Sequence, residues 1–382
     1  MREQEAAEFF IYMENYRKLP QRLILGSETA STVSSRGVYK FPVERRSMAK
    51  YPDHQASSYD VEHCDWSNLP EDDFVQHEDL PYCMGEFVWT GFDYLGEPTP
   101  YNNTTGNNGS SYPSSSYFGI IDTAGFGKDT YYLYRSMWNE HSTTAHIVPG
   151  TWNSSELYVD GSGYVDVAVY SNAARIELLG DGNVIARATA NTTTTNAGHK
   201  YQTWTETAVD TTNVATTEFY SGDGKDLYSQ FHVKHAAYNT LSVKAYDANG
   251  NEITDTVGTK SVSNTTATQK ITAKAWTYDG FTADGDSYAY IEYTAVDANG
   301  NFDSTYNGTL NLVLEGNEAV IVGVDNGDPV TTQKFQQASA LTSDTTATIQ
   351  MFNGKALAIL RTTEEVSALK KDVELTATSD VS

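Results

Sequence analysis

The sequence predicts a multidomain chain, in which a stretch of alternating helix and strand too short to close a (β/α)8 barrel is followed by two antiparallel β-sandwiches. Three observations carry this. Two short apolar runs, LILG and GEFVW, alternate with helix-like segments over the first part of the chain. From about residue 145 the composition turns to Thr, Val, Ala and Gly, with alternating strands such as YVDVAVYS, LSVKAYD and LNLVLEG, the pattern of antiparallel sheets with one face in water. Finally, AYDANGN at 245–251 is echoed by AVDANGN at 295–301, one hairpin signal in each of two similar modules. A whole barrel takes about 250 residues, and roughly 140 precede the sandwiches, room for about two of its eight strands.

Taken in order, residues 1–18 read as a helix, because Ala6, Phe9, Phe10 and Met13 recur on one face before Pro20. LILG then reads as a buried strand that breaks at Gly26 and Ser27 and delivers Glu28. Strand ends reach water and often carry acids. In a parallel barrel, however, the C-terminal strand ends hold the working groups. GEFVWTGFDYLG, residues 85–96, reads as the next core strand. Neighbouring strands lie about 4.8 Å apart, so Glu28 and Trp89 would meet at one rim. A carboxylate beside an indole suits a sugar, whose C–H face stacks on the ring while the acid faces the anomeric carbon. Core packing is the plainer role for Trp89. NNTTGNNGSSYPSSS is a surface loop by composition, and Asp129 opens a helix bearing Tyr131, Tyr132, Tyr134, Arg135 and Trp138.

The 25 Lys and Arg against 50 Asp and Glu give a net charge of −25, which disfavours nucleic acid and anionic membrane as partners. No apolar run is long enough for membrane insertion, and MREQEAAEFF lacks the basic start and apolar stretch of a signal peptide. Cys64 and Cys83 lie in one loop-like region, and their pairing stays open. His54, His63, Cys64, His77 and Cys83 match no zinc spacing. Asp247, Asn249 and Asn251 imitate the start of a calcium loop without its glycine and closing glutamate, and read as a turn, as does the pair Asp284 and Asp286.

Long segments carry a resemblance. GSETASTVSSRG, GEFVWTGFDYLGEPTPY and SSYFGIIDTAGFGKDTYYLYRSMW resemble the end of the catalytic barrel of glycoside hydrolase family 2 β-galactosidases. GVDNGDP and FNGKALAILR resemble the immunoglobulin-like C-terminal domains of that family. The resemblance implies that residues 1–143 hold about the last two strands of an incomplete (β/α)8 barrel. It makes 144–262 and 263–382 immunoglobulin-like β-sandwiches. Glu28 takes the place of the nucleophile, and Trp89 that of the aromatic floor of the sugar subsite. Tyr59 and Asp60 in SSYD, with Asp93 and Glu97 in FDYLGEP, fall where pocket-lining residues are expected. A retaining mechanism needs a second carboxyl group about 5–5.5 Å from the first. In the family it sits in an Asn-Glu pair several strands earlier, and no such pair precedes Glu28.

The implied activity is double-displacement cleavage of terminal β-galactosides or a related glycan, with this chain alone expected to be inactive. No cofactor is required by the resemblance, while a divalent cation and self-association stay open. The parent protein is expected outside the cell or on its surface. The alternative is a non-catalytic carbohydrate-binding or cell-surface spacer protein of β-sandwich modules. In that reading Trp152, Trp204, Trp276 and Tyr278 form a sugar platform, against the usual role of sandwich tryptophans as core.

Overall fold

A computed structural model of the chain describes residues 12–103, 113–195, 198–216, 227–268, 270–336, 344–364 and 373–381. Ala6, Phe9 and Phe10 of the expected first helix and most of the expected 102–116 loop lie outside these residues, whereas 12–18 are helical (α1). The chain divides into two compact units, one of Met1–Asp122 with Gly127–Asn264 and the other of Thr123–Phe126 with Thr265–Ser382.

The first unit opens with β1 (Ile24–Thr29), β2 (Arg46–Ser47), β3 (Glu62–His63), α2 (Pro70–Asp79), β4 (Cys83–Val88) and α3 (Asp129–Trp138). β1 and β4 pair in parallel, with Thr29 opposite Val88 and register shifts on both sides of Gly26. α2 starts where the sequence instructs it to, because Pro70 occupies the first turn and Glu71, Asp72 and Asp73 meet the positive end of the helix dipole. Cys64 and Cys83 are both free thiols, and burial pushes the Cys64 thiol up to about 12.

Long connections between these elements are held by buried charge. The Lys128 ammonium, 1% exposed, donates to the carbonyls of Ser34 at 2.7 Å and Tyr117 at 3.2 Å. It also pairs with the Asp93 carboxylate at 2.6 Å. One cation thereby ties the segment after β1 to both segments after β4. Arg36 adds a pair to Asp122 at 2.6 Å. The chain runs so close here that a Cβ on Gly119 would lie 2.0 Å from the Asp93 nitrogen, so only glycine fits. Asp129, in the first turn of α3, accepts from the hydroxyls of Tyr39 at 3.0 Å and Ser58 at 2.6 Å and pairs with His146 at 2.6 Å.

His146 belongs to β5 (Ala145–Val148), the start of a two-sheet sandwich. Its further strands are β6 (Tyr164–Ser171), β7 (Arg175–Gly180), β8 (Asn183–Thr194), β9 (Lys200–Ala208), β10 (Val214–Ala215), β11 (Ser229–Lys234), β12 (Thr240–Tyr246), β13 (Glu252–Ile253) and β14 (Ser261–Ser263). One sheet runs β10-β11-β6-β5, and the other runs β13-β12-β7-β8-β9 with β14 also paired to β12. Their facing side chains, among them Val167, Phe231, Ile176, Leu178 and Leu241, share one core with Trp152 and Trp204. Both tryptophans are packing groups.

The second unit holds β15 (Lys270–Thr277), β16 (Tyr288–Val296), β17 (Thr309–Glu315), β18 (Ala319–Asp325), β19 (Thr346–Gln350), β20 (Lys355–Thr362) and β21 (Glu374–Ser379). These form sheets β15-β16-β20-β18 and β19-β17-β21 around Ile291, Tyr293, Leu310, Leu312 and Leu360. The echoed turns share one construction. Asp247 accepts from the backbone N–H groups of Asn249 and Asn251 at 2.9 and 2.8 Å, and Asp297 from those of Asn299 and Asn301 at 2.8 and 2.9 Å. Gly250 and Gly300 supply φ of 86° and 83°. The carboxylates are consumed by the turns. Asp284 likewise caps its own loop, accepting from the N–H groups of Asp286 and Ser287. Those bonds hold its carboxyl below the usual range.

If Lys128 is the tie that the geometry describes, Lys128→Met strands Asp93 as a buried unpaired charge and should cost about 3–5 kcal/mol. Lys128→Met with Asp93→Asn should recover a large part of that. Urea unfolding of the two single variants and the double variant checks this, and strictly additive losses would refute the coupling.

Candidate functional site

The parallel register of β1 and β4 brings the C-terminal ends of both strands to the same side. The Trp89 N–H, one residue past β4, donates to the Thr29 carbonyl at 2.8 Å, so Glu28 and Trp89 leave adjacent strand ends. Glu28 is exposed and Trp89 half-buried. Thr29 turns inward, and its hydroxyl donates to Glu86 at 2.7 Å. His77 faces the same Glu86 oxygen at 3.4 Å from α2. Glu86 therefore serves as an internal support.

Tyr94 joins the residues at this end. Its ring meets the Trp89 indole edge to face, with centroids 6.0 Å apart and planes at 82°. Its hydroxyl donates to the Glu97 carboxylate. Burial and the Glu97 bond, with the nearby charges of Glu97 and Glu28, push the Tyr94 hydroxyl up to about 12. Glu28, Trp89, Tyr94 and Glu97 thus form one constellation, with Glu97 exposed on a loop at φ 45°. It can present an aromatic surface, a hydroxyl and two carboxylates to a ligand. The sequence reading named Asp93 and Glu97 and passed over Tyr94 between them, because carboxylates draw attention and a tyrosine in a strand-like run reads as filling.

The remaining residues expected in the pocket are buried among partners of their own. Tyr59 is buried with Tyr39, Val148 and Ala168, and its hydroxyl donates to the Asp166 carbonyl at 2.7 Å. Asp93 is buried against Lys128 and accepts from the Gly119 N–H at 2.8 Å. Burial outweighs the lysine and raises its carboxyl to about 6. Asp60 is 4% exposed, and neither carboxylate oxygen has a hydrogen-bond partner. Burial, reinforced by Glu71 and Asp72 and opposed by Arg45, pushes its carboxyl well above the ordinary range. Arg45 is engaged with Asp72 at 2.5 Å. No group of three or more His, Cys, Asp or Glu side chains able to hold a metal occurs among the described residues.

Comparison with known proteins adds to this geometry. Residues 275–381 match glycoside hydrolase family 2 C-terminal domain 5. The chain is 29% identical over 374 residues to beta-galactosidase BoGH2A of Bacteroides ovatus, a match covering 94% of the chain and 36% of that protein. The matches liken the chain to glycoside hydrolase family 2, with residues 275–381 as one of its C-terminal domains. A second relative, a putative beta-glucuronidase of Formosa agariphila, is 36% identical over 110 residues, 27% of the chain and 9% of the relative. Among solved structures, a beta-glycosidase from Bacteroides vulgatus superposes with a TM-score of 0.68 at 20% identity, covering 97% of this chain and 42% of its own. A family 2 protein from Bacteroides cellulosilyticus gives 0.59 at 19% identity, covering 97% and 38%. Both likenesses are of fold. The chain spans about a third of the length of the B. ovatus relative.

Asp60 offers a test of its surroundings that is independent of any ligand. The folded chain keeps a proton on Asp60 where the unfolded chain, with an ordinary aspartate pKa near about 3.9, has released it. Stability therefore falls as pH rises from there toward the raised folded value. Asp60→Asn removes this titration. Its melting temperature relative to wild type should climb as pH rises above about 4, by about 3 °C per pH unit while the folded chain keeps the proton. A difference that does not change with pH would contradict a buried, protonated Asp60.

Proposed function

We propose that the protein cleaves terminal β-galactosides with retention of configuration and that this chain supplies the nucleophile side of the pocket. In this reading β1 and β4 are neighbouring strands near the end of a (β/α)8 barrel, and the units that follow α3 are immunoglobulin-like supports. The Glu28 carboxylate attacks the anomeric carbon as the bond to the leaving oxygen breaks, giving a glycosyl ester. Water then releases the sugar with a second inversion. Trp89 supplies the floor on which the C–H face of the sugar lies, and Tyr94 and Glu97 bond to its hydroxyls. Asp93, Tyr59 and Asp60 hold the segments that carry this rim.

The observation that carries the reading is the Thr29–Trp89 backbone bond across the parallel pair, which gives a carboxylate and an indole one common edge. A neutral sugar is favoured over a glucuronide, because the charges acting on Tyr94 are those of Glu97 and Glu28, and a uronate would be repelled. The match to the β-galactosidase also runs along 94% of the chain, against 27% for the glucuronidase. No Asn-Glu pair precedes Glu28 in these 382 residues, so the chain by itself should not sustain turnover.

A leaving group that departs as an anion needs no proton, which separates the nucleophile from the missing acid. Incubation with dinitrophenyl 2-deoxy-2-fluoro-β-galactoside should attach one fluorosugar to the peptide containing Glu28, detected by mass spectrometry and absent in Glu28→Gln. Nitrophenyl β-galactoside should show no steady hydrolysis by the chain. Labelling at a different residue would remove Glu28 from the role, and robust turnover abolished by Glu28→Gln would show that the chain carries its own acid.

A further inference from the structure

We infer that the outer face of the β15–β16 sheet is a second carbohydrate-binding site, an aromatic platform for a neutral glycan chain built from Trp276, Tyr278 and Tyr290. The pairing of these strands sorts their side chains without ambiguity. Ala273, Ala275 and Thr277 lie opposite Tyr293, Ile291 and Ala289, whereas Lys274 and Trp276 lie opposite Glu292 and Tyr290. Tyr293, Ile291 and Ala289 belong to the core, so Lys274, Trp276, Glu292 and Tyr290 share the water-facing side. That side of a sandwich is ordinarily polar. Here it carries aromatic rings that the core does not use.

Trp276 and Tyr290 stack with centroids 4.4 Å apart and planes at 14°. Tyr278 stands at right angles to both, 6.2 Å from Trp276 and 6.3 Å from Tyr290. The pair is therefore braced, and the Tyr278 ring remains 75% exposed with Trp276 at 41%. Fixed rings bind at little entropic cost, since their rotamers are set before the ligand arrives. The rim is polar and charged, with Lys274 beside the Glu292–Lys355 ion pair. An apolar floor with a few hydrogen-bonding groups around it matches a pyranose, which offers a C–H face and a ring of hydroxyls. With a net charge of −25 on the chain, a polyanionic ligand is disfavoured. β15 ends the order of its sheet, so an extended chain could pass across the rings along the strand and continue beyond them.

This site is independent of the Glu28 reading and would operate whether or not that reading holds. It would keep a polymeric glycan on the protein while a chain end is processed elsewhere. Native affinity electrophoresis of the full 382-residue chain through gels containing soluble β-1,4-galactan, arabinogalactan or galactomannan tests it. Retardation by at least one of these is expected, weakened about tenfold or more by Trp276→Ala and by Tyr278→Ala. Circular dichroism would confirm that the exposed-ring variants remain folded. Loss of retardation with Trp89→Ala but not with Trp276→Ala would move the binding to the strand-end rim and overturn the platform while favouring the first reading. No retardation in any gel would also overturn it. So would a dimer in sedimentation that the Trp276→Ala change dissociates, which would make the rings a contact between copies.

Discussion

The arrangement of the first unit depends on one buried ammonium group. Lys128 sits just ahead of α3 and satisfies its hydrogens on Ser34, Tyr117 and Asp93, three points from segments that helices and sheets do not otherwise organise. A charge this deep is tolerated only when its partners surround it. The segments that follow β1 and β4 consequently have little freedom to drift apart.

The acids of this chain therefore divide by surroundings more than by motif. Asp93 and Asp129 are structural anchors, Asp247 and Asp297 are turn caps, Asp60 is a buried acid whose pKa burial raises, and Glu28 and Glu97 face water. Exposed carboxylates keep the chain strongly negative, yet the few that are buried determine where its loops run.

Much of this was legible in the sequence. The strand positions of LILG and GEFVW, though not the burial expected of them, since Leu25 and Phe87 are exposed, together with the change of style near residue 145 and the two Asn-Gly turns, follow from local chemistry: hydrophobic phase, composition and the need for positive φ. The fates of Asp60 and Asp93 were not, because their surroundings come from residues distant in the chain, Arg45 and Glu71 for one, Lys128 and Gly119 for the other. FDYLGEP displayed its acids and hid its tyrosine, whose role depends on where the Trp89 ring lies. The exposure of Trp276 and Tyr278 has a local signal too. In KITAKAWTY the tryptophan and final tyrosine share the phase of both lysines, which is the phase of the solvated side. Trp204, within the β9 sequence KYQTWTETA, ended in the core instead.

The pairing of β1 with β4 joins Ile24 to Cys83 across a long intervening segment, and its sheet has two strands among the described residues. Leu25, Met84 and Phe87 on these strands are exposed, so little apolar burial holds the pair shut. Such a unit opens at far lower free energy than a packed sandwich, and its amides should exchange with solvent deuterium long before those of β6 or β16. Warming would open this pair before it unfolds either sandwich, so a spectroscopic melting point dominated by the sandwiches overstates the temperature to which the β1–β4 pairing survives.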